Sequence, residues 1–261
     1  MKQSLRQGAG RCAAAASVAL LLAACGGGAA TRPDNGGLTA AAANMQLGSA
    51  YLQAGNLAVA KDKLERAMAQ SPRDPQIRGL LAMLYGRMGD EVHAEAAFKA
   101  ALQLAPRDPE QLNNYAVFLC SHGRVDEGVA RFEQAAANPL YRTPWAAYAN
   151  AGVCLRGAKR SAEAHVRFEK AIKARPDYTE AVTQLADLDF AENNAAQALA
   201  RVQAFMASNP PNAELLLIGW RAATLQQDKV AAARFAWQLQ TEFGESEQAR
   251  SVRNAAQAPR P

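Results

Sequence analysis

The chain has 261 residues, 49% hydrophobic, 7% aromatic and 20% charged, with a formal charge of +5. That charge does not indicate nucleic acid, because no basic stripe interleaved with aromatics runs along the sequence. No Ser-His-Asp order, Gly-rich phosphate loop or zinc motif occurs, and His93, His122 and His165 stand singly, without cysteine or carboxylate at metal-ligand spacing, so no catalytic site, metal, cofactor or small-molecule substrate is expected.

Residues 1–24 have the layout of an export signal. Lys2, Arg6 and Arg11 form a positive start, and an apolar stretch from Cys12 to Ala24 follows. That stretch is shorter than the roughly 20 residues a membrane-spanning helix needs. It ends in Leu22-Ala23-Ala24-Cys25-Gly26, which resembles the bacterial lipobox. The resemblance implies that Cys25 is lipidated and becomes the first residue of the mature chain. The alternative is an ordinary secretory signal with an incidental cysteine. Loss of the signal would leave 26 Lys+Arg against 24 Asp+Glu, a formal +2. Gly26 stands where an aspartate commonly retains such lipoproteins at the inner membrane, so the resemblance implies the periplasmic face of the outer membrane in a Gram-negative bacterium. Acylation contributes about 0.8 kcal/mol per buried CH₂. Residues 25–40 read as the lipidated cysteine and a Gly-rich flexible tether, which would reach on the order of 20–25 Å.

From residue 41 the sequence keeps a beat of 34. Pro72, Pro106, Pro176 and Pro210 are separated by 34, 70 and 34 residues. Ala67, Ala101, Ala135 and Ala171 follow the same beat, as do Leu64, Phe98, Phe132 and Phe168. A fixed period of this length with helical spacing predicts stacked pairs of antiparallel helices. In the unit 75–108, Arg78, Leu81, Ala82 and Tyr85 line one face of a first helix. Gly89-Asp90 breaks it, Ala94, Phe98 and Ala101 line a second helix, and Pro106 stops the second.

These residues resemble the tetratricopeptide repeat. The units are 41–74, 75–108, 109–142, 145–178, 179–212 and 213–246, and the expected fold is an all-α, right-handed superhelix of about six repeats. In the third unit Gly128 replaces the usual alanine, and in the fifth Asp189 stands where an aromatic is usual. The sixth is degenerate, its register uncertain by one residue, with Asp228 and Ala233 at its turn and Trp220 and Trp237 as candidate core residues. The tail, 247–261, is expected to be disordered.

Such a superhelix holds another protein on its concave face, which the first helices line. Candidate partner-binding residues there are Arg87, Asn113, Asn114, Val117, Asn150 and Arg156. The asparagines suit an extended peptide backbone; the alternative for Asn114 and Asn150 is bonding to neighbouring helix backbones. Met45, Ser49 and Leu80 occupy places where the known carboxylate clamp carries Lys, Asn and Arg, so that function is not expected. The insertion Asn138-Pro-Leu-Tyr-Arg-Thr-Pro-Trp145 offers Tyr141 and Trp145 as an exposed patch, or else tucks Trp145 into the core. Cys120 and Cys154 lie on first helices of consecutive units, in an oxidising compartment if the export reading holds. A bridge needs Cα atoms within about 4.4–6.8 Å. Their unequal repeat positions, 12 and 10, count against it, and the two-residue insertion between the units can compensate. Two small buried hydrophobes are the alternative.

The stretches Asn113-Asn-Tyr-Ala-Val-Phe-Leu-Cys120, Asn138-Pro-Leu-Tyr-Arg-Thr-Pro144 and Asn150-Ala-Gly-Val-Cys154, with the lipobox, resemble the type IV pilus biogenesis and stability lipoproteins (the PilW/PilF family). The resemblance implies a non-catalytic outer-membrane lipoprotein that binds a secretin subunit and promotes secretin assembly or localisation, as a pilotin does. The competing expectations are a lipoprotein scaffold of tight-adherence pili or outer-membrane barrel assembly, and an adaptor of peptidoglycan hydrolases.

Overall fold

The computed structural model describes residues 39–257. The export signal, Cys25 and residues 25–38 of the tether lie outside them. Helix starts are set by short side chains that close the first turn. Asp74 accepts hydrogen bonds from the backbone of Gln76 and Ile77, and Asp108 from Glu110 and Gln111, each with a proline in the first helical position. Asn56, Asp90, Asn194 and Asp228 likewise cap second helices.

The six repeats are the pairs α1 (Ala40–Gln53) with α2 (Leu57–Gln70), α3 (Pro75–Arg87) with α4 (Glu91–Leu104), α5 (Pro109–Ser121) with α6 (Val125–Ala136), α7 (Pro144–Gly157) with α8 (Ser161–Ala174), α9 (Thr179–Ala191) with α10 (Ala195–Met206), and α11 (Ala213–Leu225) with α12 (Lys229–Glu242). They stack as a right-handed superhelix. Each first helix packs on the next first helix and each second helix on the following first helix, but among the described residues the backbones of second helices stay apart, bridged only by side chains such as Arg167 with Glu133. The first helices therefore form the inner, concave layer.

The units lock through one large side chain on the second helix. Leu64, Phe98, Phe132, Phe168 and Phe235 are essentially buried. Opposite three of them stands a glycine: a Cβ on Gly48 would lie 2.6 Å from Leu64, one on Gly152 2.6 Å from Phe168, and one on Gly219 2.8 Å from Phe235. The turn inside each pair is made by one residue in the left-handed region. Gly55, Gly89 and Gly123 hold it in the first three units, and Lys159, Asn193 and Gln227 in the last three.

That series settles the sixth unit. Its turn, at Gln227, keeps the 34-residue beat from Asn193, but its packing runs one residue early, through Gly219, Ala231 and Phe235. The expected core role of Trp237 and the expected turn role of Ala233 are thereby corrected. Trp237 is 66% exposed, Ala233 is an exposed residue within α12, and Trp220 is only partly buried against the core. The other departure, Asp189, is buried but not orphaned: it accepts from Arg201 Nε at 2.8 Å and faces His165 Nε2 at 3.5 Å.

The expectation of a disordered tail from residue 247 is also corrected. Residues Glu247–Gln257 form α13, which packs on α11 and α12 with Ala249 and Val252 buried. Three-residue spacing puts both on one helix face, which covers the end of the last pair.

Two stability changes follow. Val252→Asp, which places a charge in that buried contact, is expected to lower unfolding free energy by about 2 kcal/mol or more, read by urea denaturation. Gln227→Gly is expected to raise it by about 0.5–1 kcal/mol, relief of left-handed strain outweighing the greater backbone freedom of glycine.

Candidate partner-binding groove

The concave layer between α5 and α7 carries most of the candidate residues. Asn150 Nδ2 donates to Asn113 Oδ1 at 3.1 Å, and Asn113 Nδ2 points to Asn114 Oδ1 at 3.5 Å. These amides bond to one another across two helices, and not to neighbouring helix backbones. Arg156 pairs with Asp187 and donates from Nη1 to Gln184 Oε1 at 2.8 Å, tying α7 to α9. Arg87 donates to the Leu52 carbonyl at the end of α1. Its guanidinium thus adds a second donor to a carbonyl in the last turn of α1, which also accepts from the Gly55 N–H.

Cys120 and Cys154 are joined, with Sγ–Sγ 2.03 Å and Cα–Cα 5.6 Å. The two inserted residues before α7 offset the two-place difference in repeat position. Gly128 now has a reason: a Cβ there would lie 2.4 Å from Cys120 Sγ. The bridge forms part of the wall of an apolar cavity of about 480 Å³ that Val117, Phe132, Asn150 and Val153 also line. Val117 and Val153 are each 47% exposed, one turn-related pair on adjacent helices.

The insertion behaves differently from an exposed aromatic patch. Trp145 packs against the buried Ala149, Ala171 and Ala181, with the Arg175 guanidinium 4.9 Å from its ring centroid. Tyr141 packs with Leu112, Phe132 and Ala147, and burial pushes its phenol pKa up. The two rings pack against separate parts of the core, so as surface-patch candidates they are corrected. Leu140, 85% exposed, is the apolar side chain the loop presents to solvent.

Charge bridges the junction of units two and three. Glu95 Oε1 on α4 accepts from Arg124 Nη1 at 2.6 Å, Lys99 Nζ at 2.9 Å and the Tyr115 hydroxyl at 3.1 Å. Arg124 first, then Lys99, hold the Glu95 carboxyl down at about 2 from an ordinary 4.5. Arg124 also pairs with Glu127, and Arg160 repeats the device at the next junction with Asp126 and Glu163. Neither arginine was singled out from the sequence. The signal available was their shared place, where Asn56, Asp90 and Asn194 cap the other second helices.

A concave helical layer of uncharged amides and exposed valines, backed by a rigid stack, defines a tetratricopeptide-repeat protein-binding domain. Sequence models of the tetratricopeptide repeat match residues 75–108 and 155–218. The type IV pilus assembly protein PilF of Pseudomonas aeruginosa is 30% identical over 206 residues, 79% of this chain and 82% of that one. Its solved structure matches with a TM-score of 0.65 at 28% identity, over 83% of this chain and 97% of that one. The structure of PilW, described as a widely conserved type IV pilus biogenesis factor, gives 0.66 at 26% identity, over 83% and 99%. The chain belongs to the PilF family of tetratricopeptide-repeat proteins.

The Glu95 bridge has a pH signature. A carboxyl held below its ordinary pKa contributes stability that is complete above the ordinary value and is lost as pH falls through the folded one. Glu95→Gln is expected to lower stability by up to about 1 kcal/mol at pH 7. In denaturant titrations its gap from the parent should narrow below pH 4.5 and close near pH 2.

Proposed function

We propose that this protein is a non-catalytic outer-membrane lipoprotein of type IV pilus biogenesis, anchored through Cys25, whose concave face binds a secretin subunit and promotes assembly of the secretin multimer. The observation that carries the reading is the likeness to PilF and PilW along almost the whole repeat domain. Lipidation of Cys25 rests on the lipobox resemblance, and the acyl chains would hold the complex at the periplasmic face. Asn113, Asn114, Val117, Asn150 and Arg156 are the residues proposed to meet the partner, with Val117 at the mouth of the apolar cavity. The Cys120–Cys154 bridge fits an oxidising periplasm.

The test is deletion of the gene, with heat-stable secretin multimers measured in outer-membrane fractions. The multimers should fall, and wild type should restore them fully while Cys25→Ser restores them only in part. Val117→Asp, at an exposed groove position, should reduce the multimers at unchanged melting temperature. Normal amounts at the normal location without the gene would sink direct secretin assembly.

A further inference from the structure

Unit three breaks its own repeat code at one buried position. The third residue of the units is Ile77, Ala147 or Ala181 elsewhere in the core, each at most 1% exposed. In unit three it is Gln111, 4% exposed, and its Oε1 has no hydrogen-bond partner. Whichever way round the amide is assigned, one polar atom occupies that place. The side chain fits because Gly79 stands opposite: a Cβ at Gly79 would lie 1.9 Å from Gln111 Oε1. A glycine inside α3 weakens that helix, and an unpaired buried amide weakens the core. Two local losses at one contact, with no structural gain, mark a place where stability has been given up for function.

That contact lies at the floor of a concave cavity of about 400 Å³, lined also by Ser49, Ala50, Glu110 and Asn114. Among the described residues none of those lining it is basic, and Glu110 supplies a carboxylate. The walls are otherwise amides, a hydroxyl and apolar groups that include Met45 and Leu80. A primary amide offers donors and an acceptor side by side, which the N–H and C=O of one residue in an extended strand can meet together. The cavity adjoins the asparagine ladder at Asn114.

We infer that the cavity over Gly79 and Gln111 receives an extended segment of a partner protein, neutral or basic at the seated residues, whose main-chain amide completes the hydrogen bonding of Gln111. The inference rests on the reading of this domain as a protein-binding module and adds where, and by what chemistry, a segment is held.

Phage-displayed random decapeptides panned against the full chain in detergent provide the probe. The recovered peptides should be poor in Asp and Glu and should bind Gln111→Leu at least tenfold more weakly than the parent. Gln111→Leu should melt at or above the parent temperature, since an apolar side chain replaces an orphaned amide. Ala50→Trp, at an exposed lining position, should block the same peptides, and it decides the matter alone if Gln111→Leu folds poorly. Recovery of no binder, of acid-rich binders, or of binders held by the variants within twofold of the parent overturns the proposal. The panning uses no pilus component, so the cavity can fail while the secretin reading stands, and the reverse.

Discussion

The stack depends on a close approach between a small residue on each first helix and a large apolar one on each second helix. Helix axes come near enough to pack only where a side chain is missing or short, as at Gly48, Ala82, Ala116, Gly152 and Gly219. The matching Leu64, Phe98, Phe132, Phe168 or Phe235 then fills the seam. No pair buries its own core alone: Phe98 on α4 stacks with Tyr115 on α5, 5.4 Å between centroids. Stability is therefore shared between neighbours. The ion pairs of Arg124 and Arg160 run along the same junctions and link one unit to the next.

The concave face inherits its chemistry from that arrangement. With the large residues committed to the seams, the first helices have short or amide side chains left to display. Asn113, Asn114 and Asn150 satisfy one another in a line, so the layer can exchange internal bonds for bonds to a strand without leaving a buried group bare. Gln111 is the exception, buried and unpaired beneath the same face.

Much of this was legible in the sequence, because the beat of 34 fixes which residues share a role. The spacing identified five units and the glycine turns of the first three, and the resemblance to the tetratricopeptide repeat supplied the candidate groove. It failed where the beat and the packing separate. In the sixth unit the turn keeps time while Phe235 replaces the expected tryptophan, and spacing alone cannot tell a ring on the seam from one two residues further around the helix. The tail misled for a related reason. A short polar sequence reads as frayed, and only two apolar positions, Ala249 and Val252, meet the core. Trp145 and Tyr141 were ambiguous because the sequence shows that two residues are added but not where in the core each ring packs. Gly128 was the unread clue: it departs from alanine at the one place where a sulfur needs the room.

The separation of second-helix backbones on the outer face, among the described residues, has a mechanical consequence. The inner layer is continuous and the outer layer is a row of rods joined by side-chain ion pairs alone. A small tilt at each junction spreads or closes the outer gaps while leaving the seams intact, and such tilts accumulate along the array. The domain is thus a shallow coil spring, stiff within each pair and compliant in pitch. Its groove can tighten around what it holds by changing curvature instead of repacking a core.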